Sequence, residues 1–168
     1  MVTRVDIKVD DRELRSALKG IKEAAADPTP MFDAVGAALV SDTIGRFERG
    51  EGPGGEVWPQ SLRAKLDDGQ TLVDTSRLRD SITHDPGPRG VRYGTNVIYA
   101  GIHQFGGTIK AKGGGWLKFT LANGAFRRVR EVTMPARPFL GIDDEQETII
   151  AEEIEAFLAD VAGPEATE

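Results

Sequence analysis

The stretch YGTNVIYAGIHQFGG, residues 93–107, decides the fold. Up to Thr95 or Asn96 apolar and polar residues alternate, as in a strand. Then the period changes: Val97, Ile98, Ala100, Gly101 and Ile102 make an apolar turn or two, too short to hold as a helix alone in water. The turn must therefore be packed on the rest of the domain. It carries Tyr99, His103, Gln104 and Phe105 and ends at Gly106-Gly107, where positive φ is readily reached. Such a segment places polar and aromatic side chains rigidly at the end of a sheet.

Working outward, the segment from His84 to Gly90 is rich in Pro and Gly and predicts a turn, pairing residues 82–84 with 91–93 as a hairpin. Before it, Thr75 is expected to cap a short helix from Ser76 to Ser81, with Leu72, Leu78 and Ile82 as apolar positions. GEGPGGEVWP, residues 50–59, reads as a mobile loop ending on an anchored Trp58, and residues 61–69 as loop or short helix. Phe32, Val35, Leu39, Thr43 and Phe47 fall on one stripe of a helix from Pro30 to Arg49, the spine of the core. Leu14, Ala17, Leu18, Ile21 and Ala25 mark a first helix from Asp11 to Ala26, begun by an Asp10–Glu13 capping pair and stopped by Pro28; Val5, Ile7 and Val9 alternate as a strand before it.

Downstream, Thr108 to Lys112 reads as a strand and Gly113–Gly115 as a break. Asn123-Gly124 joins Trp116–Leu121 to Phe126–Val132 as an extended hairpin. A two-residue turn there puts Leu117, Phe119, Leu121, Phe126, Arg128 and Arg130 on one mixed face. In MPARPFLGI, residues 134–142, two prolines stiffen the backbone around Arg137 and Phe139. A last helix from Asp144 to Val161 turns Ile150, Ile154, Phe157, Leu158 and Val161 inward. The expected architecture is α+β: a small antiparallel sheet with two long helices and a C-terminal helix packed on it, plus the hairpin. Residues 1–162 form one domain and 163–168 a disordered acidic tail.

Composition agrees with one soluble domain: 168 residues, 39% hydrophobic, 29% charged. The absence of cysteine removes disulfides, thiol chemistry and the usual structural zinc sites. The charged first residues, MVTRVDIKVDD, show no secretory signal, and no apolar run approaches the ~20 residues of a membrane span. The net charge of −6 is divided: ten acids and no base follow Gly141, so the first 140 residues carry +4 and the last 28 carry −10. Between Ile109 and Arg137 stand seven bases (Lys110, Lys112, Lys118, Arg127, Arg128, Arg130, Arg137) against Glu131 alone. The blandest reading of this division is a solvated helix face with a frayed tail; the alternative is a surface that guides or repels something charged.

No catalytic constellation emerges. His84 and His103 lie in different loops without metal-ligand spacing, and the glycine-rich stretches lack the continuation of a phosphate loop. Two other readings stay open: a nucleic-acid-binding module stacking bases on Trp116, Phe119 and Phe126, which the acidic C-terminal region opposes, and a hydrolase in which His103 activates a nucleophile such as Ser81.

Phe47 to Trp58 with FxxGxxPxGxxW spacing, LVDTSRLRDSI, VRYGTNVIYAGIHQFGG and MPARPFLGI together resemble the phage virion morphogenesis family, the Mu G-like tail completion proteins of tailed phages and prophages. The similarity covers roughly Phe32 to Ile142, and YAxIHQFGG followed by PARPFLG is its specific part. Ser76 departs from the glycine usual there. The resemblance implies a structural protein of the phage neck or tail top, in the virion and, during assembly, in the host cytoplasm. It implies no enzymatic activity and no cofactor. Its expected partners are further copies of itself in a ring, a hexamer, and tail terminator, tail tube or head connector proteins, with DNA passing through unbound and no membrane. The expected interface residues are Tyr99, His103, Gln104, Phe105, Trp116, Phe119, Phe126, Arg127, Arg128, Arg130, Arg137 and Phe139.

Overall fold

The computed structural model describes residues 11–163. The expected first strand, the Asp10 cap and most of the acidic tail lie outside them. Helix α1 (Arg12–Ala26) leads into the long α2 (Thr29–Arg49), which ends on Gly50 in a left-handed conformation. A glycine-rich loop and the short α3 (Leu62–Leu66), capped by Ser61, follow. Strands β1 (Thr83–Gly87) and β2 (Gly90–Gly94) pair as an antiparallel hairpin, with His84 opposite Tyr93. Then come α4 (Ala100–Phe105), β3 (Gly107–Lys110), β4 (Leu117–Thr120), β5 (Phe126–Val129), β6 (Glu131–Met134) and α5 (Asp144–Ala162). The class is α+β. Among the described residues the strands form three two-stranded antiparallel ladders, β1–β2, β3–β6 and β4–β5.

Helix α2 is the spine, packing on β1, β2 and α5. It buries Val35, Gly36, Leu39, Thr43, Arg46 and Phe47. Gly36 is required where the hairpin crosses: a Cβ there would sit 2.5 Å from the His84 ring and 2.7 Å from Val91. The core proper gathers at the C-terminal end of α2, where Phe47 meets Trp58 edge-on (5.4 Å between ring centres) and Phe139 at a tilt (5.3 Å). Leu78, Ile82, Val97 and Ala100 complete it.

Four expectations change. Helix α1 packs on α5, not on a sheet, and through its small residues: Gly20 approaches so closely that a Cβ would clash with the Val161 carbonyl. Its apolar stripe Leu14, Leu18, Ile21 is left in solvent. No full helix spans 76–81; Ser76 takes φ +59 and only Arg79–Ser81 turns, as a 3-10 turn, because a left-handed residue cannot continue a right-handed helix. The loop 50–58 is tied down by backbone bonds from Gly52 to Glu56 and from Trp58 to Gly50, and by the Gly54 amide donating to Asp143.

The fourth change concerns the hairpin. Leu121 and Ala125 are hydrogen-bonded (2.9 Å), so the loop is the three-residue Ala122-Asn123-Gly124 with Gly124 at φ +79. One extra loop residue slips the register by one, and every β5 side chain changes face. Arg127 and Val129 therefore join Phe119 and Leu117, while Phe126 and Arg128 join Thr120 and Lys118.

Gly106 and Gly124 both hold positive φ, but in different surroundings. A Cβ on Gly106 would stand 2.7 Å from the Ala136 nitrogen, whereas nothing lies within 4 Å of one on Gly124. Gly106→Ala should cost more than about 3 kcal/mol and Gly124→Ala at most about 1–2, read by urea unfolding. Equal losses would contradict the close packing of α4 on the segment after β6.

Candidate functional site

Helix α4 is held from behind. Gln104 Oε1 accepts the amides of Phe139 (3.0 Å) and Leu140 (3.1 Å), and its Nε2 donates to the Leu140 carbonyl (2.7 Å). The Arg137 amide donates to the His103 carbonyl (2.7 Å). Val97 and Ala100 are buried in the core below. The outer side of the same segment is bare: Ile98 is 100% exposed and Phe105 80%. A shallow apolar depression of about 230 Å³ lies between Phe105, Gly101 and Leu140.

On the other flank of α4, Tyr99 meets the His103 ring edge-on at 5.9 Å. Both line a cleft of about 410 Å³ with Arg63, Arg77, Leu78 and Arg137. Arg137, expected as part of the basic surface, is only 3% exposed; its Nε donates to the Pro59 carbonyl (2.6 Å). Phe139 is fully buried and is a core residue. Of the expected interface residues, α4 thus brings together Tyr99, His103, Gln104 and Phe105, with Arg137 and Phe139 behind them.

Trp116, Phe119, Phe126, Arg127, Arg128 and Arg130 lie elsewhere, on the arm formed by β3–β6 and β4–β5. There the Arg128 and Arg130 guanidiniums lie over the Trp116 ring at 4.3 and 4.4 Å, and Arg130 also donates to the Gly114 carbonyl (2.7 Å). Those cations occupy the ring that base stacking would need. Ser81 Oγ is engaged with the Leu78 carbonyl and Thr95, and forms no bond with His103. Among the described residues no three acidic or histidine side chains gather as a metal site, and no helix is long and apolar enough to cross a membrane.

Sequence reasoning missed Ile98 as a surface residue, and it missed a polar cluster beneath the loop 50–58. In that cluster Asp143 caps α5 in a capping box with Gln146, whose amide donates to Asp42. Arg46, 1% exposed, lies between Asp42 (3.1 Å) and Asp143 (3.7 Å). Burial alone would raise the Asp143 carboxyl, but the amides of Gln146 and Gly54 and the charge of Arg46 hold it below the usual range. The spacing of Asp42 and Arg46, one helical turn apart, was a readable sign of such a pair.

The profile of the phage virion morphogenesis family matches residues 9–159. The chain belongs to that family. It is 32% identical over 154 residues to "Mu-like prophage FluMu G protein 2" of Haemophilus influenzae, covering 91% of this chain and 95% of that one. It is 31% identical over 148 residues to "Putative capsid assembly protein G" of Escherichia phage Mu, covering 83% and 84%. No solved structure matches significantly. As a phage morphogenesis protein, the chain has a structural role in building virions, in agreement with the resemblance carried by YAGIHQFGG and PARPFLG.

Burial first, and the charge of Arg137 second, hold the His103 imidazole below its ordinary value. The unfolded chain therefore binds the proton more readily than the folded one. The stability that depends on neutral His103 is present above the unfolded value of about 6.5 and is lost as pH falls from there through the lower folded value. The urea midpoint should fall more steeply between pH 7 and pH 5 in the native chain than in His103→Gln; parallel curves would contradict the placement.

Proposed function

We propose that the chain acts at the phage head–tail interface, completing the top of the tail or joining tail to head as an oligomeric ring. The observation that carries this is the pair Ile98 and Phe105, bare on a segment whose back is fastened to the core. A soluble domain has no folding reason to hold a large aliphatic and an aromatic side chain rigidly in water, and a docking surface does. A head-to-tail ring also needs a second, unlike surface. The stripe Leu14, Leu18, Ile21 on α1, left outside by the small-residue packing of α1 on α5, supplies one. A neighbouring copy is its proposed occupant.

The charge division adds direction. Helix α5 and the residues beside it are acidic, while the arm is basic with Arg137 now removed from its surface. Exposed pairs contribute only about 0–1 kcal/mol each, so these charges set orientation and rate more than final affinity. If α5 lines a channel, its carboxylates keep passing DNA from sticking by repelling phosphates. The proposed neighbours above and below the ring are tail terminator, tail tube or head connector proteins, met in the host cytoplasm and retained in the virion.

Ile98→Asp and Phe105→Asp should each leave the unfolding midpoint of the isolated chain within about 0.5 kcal/mol of native, being surface changes. Each should lower the yield of joined, infectious particles in a complementation assay at least about tenfold, the effect of losing a central apolar contact. Full complementation by both variants would overturn the interface. Separately, Glu152, Glu153 and Glu155 changed together to Lys should impair assembly or DNA ejection; normal tails with normal ejection would show that face to be simply solvated.

A further inference from the structure

The cleft between α4 and residues 72–78 contains a cation without a counterion. Arg137 is almost wholly buried, yet among the described residues no carboxylate lies within ion-pair distance of it. Its Nε donates to the Pro59 carbonyl, and among the described residues its two terminal nitrogens have no protein acceptor. The His103 Nδ1 beside it is also buried without a partner. Arg77, on the rim, has no carboxylate partner either, and the one acid of the lining, Asp74, stands 3.7 Å from Arg63. A guanidinium mostly withdrawn from water, with no counter-charge and its free nitrogens open only to a cleft, marks a place suited to an anion.

We propose that this cleft receives a carboxylate, the end of an Asp or Glu side chain of a docking protein chain, held end-on by the terminal nitrogens of Arg137. The planar fork of an arginine fits a carboxylate through two parallel hydrogen bonds. The remaining walls include Leu72, Leu78 and Met134, which suit the methylenes of such a side chain. A doubly charged, strongly hydrated phosphate is poorly matched to those apolar walls. The charged groups lining the cleft with His103 are Arg137, Arg63, Arg77 and Asp74, of which Arg137 acts on the ring, so an arriving monoanion neutralises part of a net positive lining. The assignment rests on the cleft and not on ring formation: the isolated chain tests it, while particle assembly tests the interface reading.

The test is a titration of the full-length, histidine-labelled chain at pH 7, followed through its two histidine ring signals. Sodium propionate, standing in for a glutamate side chain, should move the His103 signal saturably and leave His84 in place. Sodium chloride and methyl phosphate at equal ionic strength should give no saturation. Arg137→Gln should weaken propionate binding about tenfold or more, the usual effect of losing a charge-assisted pair. Arg77→Gln, at an exposed position that does not threaten folding, should weaken it about threefold, as a rim charge worth under about 1 kcal/mol does. A His103 signal that propionate and chloride move alike, saturation by methyl phosphate below propionate, or unchanged binding in Arg77→Gln would each overturn the proposal.

Discussion

The side-chain amide of Gln104 is the interaction on which most of this structure depends. The segment from Pro135 to Gly141 contains two prolines and joins no strand ladder, so its polar backbone must be satisfied one group at a time. Gln104 takes three of those groups, at Phe139 and Leu140. The His103 carbonyl takes the Arg137 amide, Trp58 Nε1 donates to the Pro138 carbonyl (2.7 Å) and the Tyr93 hydroxyl to the Gly141 carbonyl (3.0 Å). Side chains from β2, α4 and the loop after α2 thus do the work of a missing neighbour strand. Phe139 can be wholly buried only because this accounting closes; each amide left unpaired would cost about 1–3 kcal/mol.

The same logic explains the polar cluster at the other end of the segment. Arg46 is buried where α2, the glycine-rich loop and the start of α5 converge, and Asp42, Asp143 and the Phe139 carbonyl surround it. A buried ion pair of this kind adds little net stability, but losing one partner leaves a stranded charge. Its physical effect is to admit a single arrangement of the three elements that meet there. The loop 50–58 is held in place by that arrangement in spite of its glycines.

How far the sequence could be read follows from which constraints are local. Helices α1, α2 and α5 are set by periodicity and capping residues, and their bounds were readable to within a residue; the β1–β2 hairpin was readable as a hairpin, but residues 85–87, expected as turn, extend β1, so the turn is only Pro88-Arg89 and His84 pairs with Tyr93. The faces they present are a different matter. In α1 the apolar stripe looks like the packing face, but Gly20 allows an approach to Val161 that no larger residue permits, and the small face goes inward instead. In the β4–β5 hairpin Asn123-Gly124 marks the turn but not its length, and one residue of loop reverses a face. Arg137 looks like one more base in a basic run; only the Pro59 carbonyl, distant in sequence, shows where it points. At Ser76 the φ of +59 is a conformation that glycine reaches more readily than serine, and the run Thr75-Ser76-Arg77-Leu78 carries no local mark of it.

In the proposed assembly a firmly held surface and a thin, exposed arm contribute in different ways. Ile98 and Phe105 sit on a backbone already fixed by Gln104 and the core, so docking them orders almost nothing further and their apolar burial counts nearly in full. The arm is the opposite case: two short, largely exposed ladders, a form marginally stable by itself, with cations spread along its length. Ordering such an arm against a partner costs entropy that offsets much of what its contacts contribute, while its charges act at a distance before contact is made. In the proposed ring this divides the work: the arm finds and orients the neighbour, and the α4 surface retains it. The connection between the two is the strand β3, which begins at Gly107, one residue beyond the left-handed Gly106 that terminates α4.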